Sequence, residues 1–141
     1  MFSIDAELLP VALAVAAGYA FGAVWYTALS RQWQAAAGLS EADMRGENSR
    51  TPPWFPFVVA FLCQIAIALV LASLLKALGG QGVGAFGGLL TGTLVWLGFV
   101  VPTTFTNYQF QGAPITLTLI DGGHWLGVLL IQGVILGAFL A

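Results

Sequence analysis

Residues 114–141, PITLTLIDGGHWLGVLLIQGVILGAFLA, decide the fold, because a stretch apolar enough to cross a bilayer carries Ile120-Asp121-Gly122-Gly123-His124-Trp125 in its first half. An α-helix needs about 20 predominantly apolar residues to span ~30 Å of hydrocarbon. The stretch therefore fits one span. At about 100° per residue it sets Asp121, His124, Val128 and Gln132 on one stripe, with Gly123, Gly127, Gly133 and Gly137 on the other side. An aspartate turned to lipid costs about 2.5–3.5 kcal/mol on insertion scales, and a glycine face gains packing only from another helix. Both faces require protein: one the chain's own bundle, the other a second protomer or a different subunit.

The rest of the chain reads the same way. It has 141 residues, 59% hydrophobic and 7% charged, where soluble domains carry about 25% charged residues. Charge-free runs cover 8–30, 51–75 and 77–120. The expected fold is an all-α integral membrane protein, one domain over 1–141, with spans at about 8–29, 54–78, 83–106 and 115–140 in a compact four-helix bundle. The first span has no basic leader and follows Asp5 and Glu7, so it reads as retained rather than as a cleaved signal. A net charge of -2 offers no basic face for nucleic acid. Cys63 stands alone, which excludes a disulfide framework or a cysteine metal site within one chain.

In the first span Gly18 and Gly22 form a small-xxx-small pair that admits a neighbouring helix. Trp25 and Tyr26 fall where an aromatic belt meets the headgroups, and Trp33 and Trp54 are expected as further interfacial anchors. Residues 30–53 are the one sizeable polar loop; 32–37 read as a short interfacial helix, and Ser40 as an N-cap with Asp43 three residues on. The second span has Gln64 as its strongly polar interior residue and stops at Gly79-Gly80, where a tight turn over 79–82 makes the next helix its antiparallel neighbour. Gly84, Gly88 and Gly92 form a close-packing ridge that leads to Trp96. Pro102 is expected to kink the third span, with Thr103 and Thr104 satisfying the freed carbonyls, and 107–114 to form a polar connection. Arg31, Arg45 and Arg50 in one loop against Lys76 near the other side place that loop in the cytoplasm and both termini outside. A weak echo between the runs ending at Trp25 and Trp96, with Gln64 and Gln132 following, suggests two helical hairpins in parallel repeat.

The residues with chemistry to offer are Asp121, His124, Gln132 and Gln64. Asp121 lies six residues past Ile115, about 9 Å along the helix at ~1.5 Å per residue. His124 is one turn deeper, close enough to share a hydrogen bond, and imidazole changes charge near neutral pH. One reading is a proton or cation relay with Asp121 as acceptor and His124 as switch. The other is an interhelical clamp in which Asp121 accepts from His124, Trp96, Tyr26 or a threonine and fixes helix register. Two ligands would complete a metal site only at an oligomer axis, so no metal and no cofactor is expected. No nucleophile elbow, phosphate loop or metalloprotease motif is present, so the chain reads as non-enzymatic.

Gly22-Ala23-Val24-Trp25-Tyr26, Leu29-Ser30-Arg31-Gln32-Trp33 and Ala37-Gly38-Leu39-Ser40-Glu41-Ala42-Asp43-Met44 resemble a family of small bacterial membrane proteins classed as domain of unknown function seventeen-sixty-one. The resemblance extends more loosely through 92–99 and 120–137. It implies a four-helix protein of a bacterial inner membrane and carries over no catalytic residues. The expected partners are the lipid bilayer and either further copies of the chain or a larger membrane complex. The function expected first is that of a non-enzymatic accessory or self-assembling protein packed through its glycine faces. The alternative is a small proton-linked transporter or channel using Asp121 and His124.

Overall fold

A computed structural model describes residues 7–141 and contains four helical stretches long and apolar enough to cross a membrane. The first is α1 (Leu8–Ala28), with Pro10 in its opening turn, where a missing N–H costs little. The chain barely breaks at Leu29 before α2 (Ser30–Ala37), which ends at Gly38 with φ 68°. A left-handed residue is the usual helix stop, and glycine adopts it without strain. A short α3 (Glu41–Met44) begins with the expected cap: the Asp43 N–H donates to Ser40 Oγ at 3.2 Å and the Ser40 N–H to Asp43 Oδ2 at 2.9 Å. Hydrogen bonds from Asn48 and then Ser40 hold the Asp43 carboxyl below its ordinary value, at about 2.

The second span, α4 (Phe55–Leu78), has Pro56 in its first turn and passes through a single 3₁₀ turn (Gly79–Gln81) into the third. That third span comes in two pieces, α5 (Gly84–Val95) and α6 (Val101–Phe110), joined by a π-helical turn at Trp96–Val100. Pro102 has no N–H to give to the carbonyl four residues back, and the local pattern shifts to accommodate the loss. Thr103 Oγ1 donates to the Phe99 carbonyl at 2.5 Å and to the Val100 carbonyl at 3.1 Å. These are the carbonyls four and three residues before Thr103 itself, not the Gly98 carbonyl that Pro102 leaves free, so the compensation expected of Thr103 and Thr104 takes a different form. The helix continues to Phe110, beyond the expected end at 106, because nothing interrupts it before Gly112 at φ 66°. Residues 107–110 are therefore helix, not connection. The fourth span is α7 (Ile115–Phe139).

The last helix is central. It packs most extensively on α5, then on α1, while α4 packs chiefly on α1. The glycine ridge meets α7 backbone to backbone: a methyl group at Gly88 would strike the Gly133 carbonyl, and one at Gly92 would stand 2.5 Å from the Leu129 carbonyl oxygen. On the opposite flank, Gly123 lies under Trp25 and Gly127 under Phe21 of α1. Both faces of α7 are thus covered by the chain's own helices. The second protomer expected on one of them is not needed to cover it. An apolar core of Val11, Val15, Leu71, Leu75, Leu129 and Leu136 fills the space among α1, α4 and α7.

The two hairpins are not packed alike. Gln64 and Gln132 do meet, but the close α1–α7 contact has no equal between α4 and α5, which touch little. Beyond their turn, α4 and the third span enclose a cleft of about 580 Å³ between Ile67 and Val70 on one side and Phe99 and Thr103 on the other, with Trp125 and Leu129 at its back.

Candidate functional site at Asp121

Asp121 is 9% exposed and accepts hydrogen bonds from three separate elements. Its Oδ1 accepts from the Tyr26 hydroxyl at 2.6 Å and from Trp33 Nε1 at 3.1 Å, and its Oδ2 from the Tyr108 hydroxyl. The helical arrangement explains the convergence. The Trp33 N–H still bonds to the Leu29 carbonyl, so helical phase is nearly kept across the α1–α2 break and residues seven apart share a face. Tyr26 and Trp33 consequently sit edge to face, 5.9 Å between ring centroids, both aimed at one carboxylate oxygen. Tyr108 reaches the other oxygen from the last turn of α6. A carboxylate is an acceptor-only group, and hydrogen bonds to a charged acceptor are roughly twice as strong as neutral ones.

The backbone beside Asp121 is held as well. Trp25 Nε1 donates to the Ile120 carbonyl at 3.0 Å, and Trp96 Nε1 to the Gly122 carbonyl at 2.7 Å. A methyl at Gly123 would stand 2.8 Å from the Trp25 ring, so the glycine makes room for that indole. Trp25, Tyr26 and Trp33, expected as interfacial anchors, direct their polar atoms to acceptors on α7. Trp54 is 59% exposed and stands free of the site.

His124 is 7% exposed, and its ring lies among Phe21, Tyr26 and Trp125, with centroid separations of 6.2, 4.8 and 4.7 Å. It makes no hydrogen bond to Asp121, contrary to the expected sharing, since the imidazole points across to α1, with Nε2 against Gly22. A methyl at Gly22 would lie 2.8 Å from Nε2. Among the described residues Nδ1 has no hydrogen-bond partner.

Gln64 and Gln132 form a second polar node, 3% and 0% exposed, with Gln132 Nε2 donating to Gln64 Oε1 at 2.7 Å. Gly18 leaves space for both amides. Eight residues separate Gln132 from His124, about 12 Å at ~1.5 Å per residue, and fully buried Val128 fills the interval. The three polar residues expected on one stripe, Asp121, His124 and Gln132, thus fall into two nodes, the second shared with Gln64 of α4, and form no continuous file.

Sequence reasoning missed Trp33 as a donor to Asp121 and did not single out Tyr108 at all. The clue to Tyr108 lay in the absence of any helix breaker between Pro102 and Gly112, which puts it in the last turn of the third span, level with Tyr26 in the last turns of the first.

A family model described as a protein of unknown function (DUF1761) matches residues 9–137. The chain belongs to this family. No curated protein and no solved structure matches it. For this DUF1761 member the chemistry must be argued from the site. Among the described residues no group of three or more histidine, cysteine or carboxylate side chains is placed to hold a metal ion. What the site offers is a fixed acceptor at Asp121 and an uncommitted imidazole three residues away.

Proposed function

We propose that this protein is a small proton-linked membrane transporter or channel that works through Asp121 and His124. The observation that carries the reading is the buried, unpartnered Nδ1 of His124 beside a carboxylate that already has three donors. A clamp explains Asp121 completely and leaves His124 without a task. An unsatisfied polar atom in a bilayer costs several kcal/mol (about 2–7 by reference state), so a purely structural bundle would do better with an apolar residue there. Imidazole is the side chain whose ordinary titration falls near neutrality, which suits it to take and release a proton.

The test is proton flux into proteoliposomes containing a pH-sensitive dye. Wild-type protein should acidify the lumen faster than protein-free vesicles, Asp121→Asn should lower the rate at least tenfold, and His124→Gln should flatten its pH dependence. Wild-type flux no faster than the vesicle leak would reject the reading.

The loop at 30–53 is proposed to be cytoplasmic and the membrane a bacterial inner membrane; the arginines at 31, 45 and 50 support that orientation. A role as accessory or self-assembling subunit comes second, because the glycine faces that would carry it pack inside the chain. The mass of the gently solubilised native particle tests it: a stoichiometric foreign partner would favour that role over transport.

A further inference from the structure

The inward indoles do not all find acceptors. Trp25, Trp33 and Trp96 each donate to the α7 backbone or to Asp121. Among the described residues the N–H of Trp125 has no acceptor and the Thr104 hydroxyl has no hydrogen-bond partner, whereas the neighbouring Thr103 commits its hydroxyl to the carbonyls of Phe99 and Val100. Both unpartnered groups line the cleft between α4 and the third span, Trp125 at its back and Thr104 on one wall. The cleft holds about 580 Å³, and its remaining walls are apolar, with Ala66 and Val70 from α4 and Phe99 and Val100 from the π-turn. Small-molecule sites commonly measure about 300–1,000 Å³ and are mostly apolar with a few polar groups that fix orientation. Single π-turns recur beside such sites.

Depth decides what can fill the cleft. Trp125 lies ten residues past Ile115, about 15 Å along α7 at ~1.5 Å per residue, and so near the middle of a ~30 Å apolar layer. Hydrocarbon at that depth offers no water to a polar group. An indole N–H is a donor only, so the occupant must bring an acceptor oxygen to mid-membrane. A phospholipid chain has none there, because its oxygens lie in the headgroup layer. A helix from a second copy has none either, since its backbone carbonyls bond within the helix. Thr104 lies six residues before Phe110, about 9 Å from the same end of the bundle, so the two groups differ by about 6 Å in depth and suit a compound with an oxygen on each side of a ring. We propose that the cleft binds a lipid-soluble dicarbonyl compound of the quinone class: one ring oxygen accepts from Trp125 Nε1, the other meets the Thr104 hydroxyl, and the apolar ring and tail pack against Phe99, Val70 and Ala66. This inference goes beyond the transport reading and does not rest on it.

The experiment follows the indole N–H resonances of the full chain, in nanodiscs of saturated phosphatidylcholine, as a decyl-substituted benzoquinone is added. The Trp125 resonance should shift saturably, while that of the exposed Trp54 should drift in proportion to the quinone dissolved in the bilayer. Trp25, Trp33 and Trp96, already hydrogen-bonded, report that the fold is kept. Decylbenzene, with the same tail and no oxygen, should bind at least tenfold more weakly. Ala66→Phe sets a ring into the cleft from an exposed position and should weaken quinone binding at least tenfold. Trp125→Phe, followed through the Thr104 methyl resonance, should weaken it at least fivefold. A Trp125 shift that is linear and parallel to that of Trp54 would overturn the site, as partition into lipid alone. Equal affinity for decylbenzene would give the cleft to any apolar chain, the bilayer's own included, and overturn the carbonyl requirement. A Trp125 resonance that follows protein concentration instead of quinone would put a second copy in the cleft. Unchanged affinity in Ala66→Phe would place the quinone elsewhere. Saturable binding without proton flux would reject the transport reading alone.

Discussion

The α5–α7 and α6–α7 contacts belong to one continuous span against one helix, yet they are built on opposite principles. The first is a long run of close backbone approach through Gly84, Gly88, Gly92, Gly133 and Gly137, with no directional bond that a proton could alter. The second is a smaller packing contact whose hydrogen bond among the described residues runs from Tyr108 to Asp121. In lipid, where no hydrophobic force drives helices together, dispersion over many close contacts gives a permanent junction and a polar bond gives a conditional one. The placement of glycines thus divides the span into a closely packed piece and a loosely packed one.

The comparison breaks most severely at Gly88. Gly88→Leu sets a side chain against the Gly133 carbonyl, an obstacle made of backbone that no rotamer change removes. It should cost more than the ~1–3 kcal/mol usual for overpacking, read as loss of monodisperse protein or a large fall in midpoint on detergent unfolding; a folded protein of wild-type stability would refute the junction. Gly22→Ala tests an intermediate case. Its methyl group would press on His124 Nε2, and the ring is confined by Phe21, Tyr26 and Trp125. The substitution should destabilise by about 1–2 kcal/mol and lower proton flux together. Gly18→Ala makes an equally short contact, 2.8 Å, but with Gln64 Oε1, the end of a flexible chain. The gain of about 1 kcal/mol for alanine over glycine in a helix should nearly offset the clash, leaving stability and flux close to wild type.

The smallest effect lies outside the bundle. The Asp43 carboxyl is held at about 2 against an ordinary 3.8, so its cap is fully formed above the ordinary value and is lost as pH falls through the lower one. The Asp43 amide resonance should therefore titrate near pH 2 while those of the spans stay still. A midpoint near 3.8 would show that the cap does not persist in solution.

The spans were legible because length and apolar content leave few alternatives. The stop at Gly79 was legible because helices end at such residues. Asp121 stood out for a related reason: a carboxylate in hydrocarbon must find donors, and Tyr26 was among those expected. The other donors were not legible. Trp33 reaches the site only because α2 continues the phase of α1, and Tyr108 only because the third span runs one turn longer than Pro102 suggests. Which glycine faces which helix is likewise a tertiary matter. A ridge at 84, 88 and 92 fits a second copy of the chain as well as it fits α7, and only the packing of the whole bundle decides.

Four of the five tryptophans, Trp25, Trp33, Trp96 and Trp125, donate to α7 around Asp121 or adjoin His124, and the fifth, Trp54, is exposed. The unmodified protein thus carries its own optical reporter. With Trp54→Phe, all tryptophan emission would come from indoles within or beside the site, so that stopped-flow fluorescence excited where tyrosine does not absorb would time its events after a pH jump without a label.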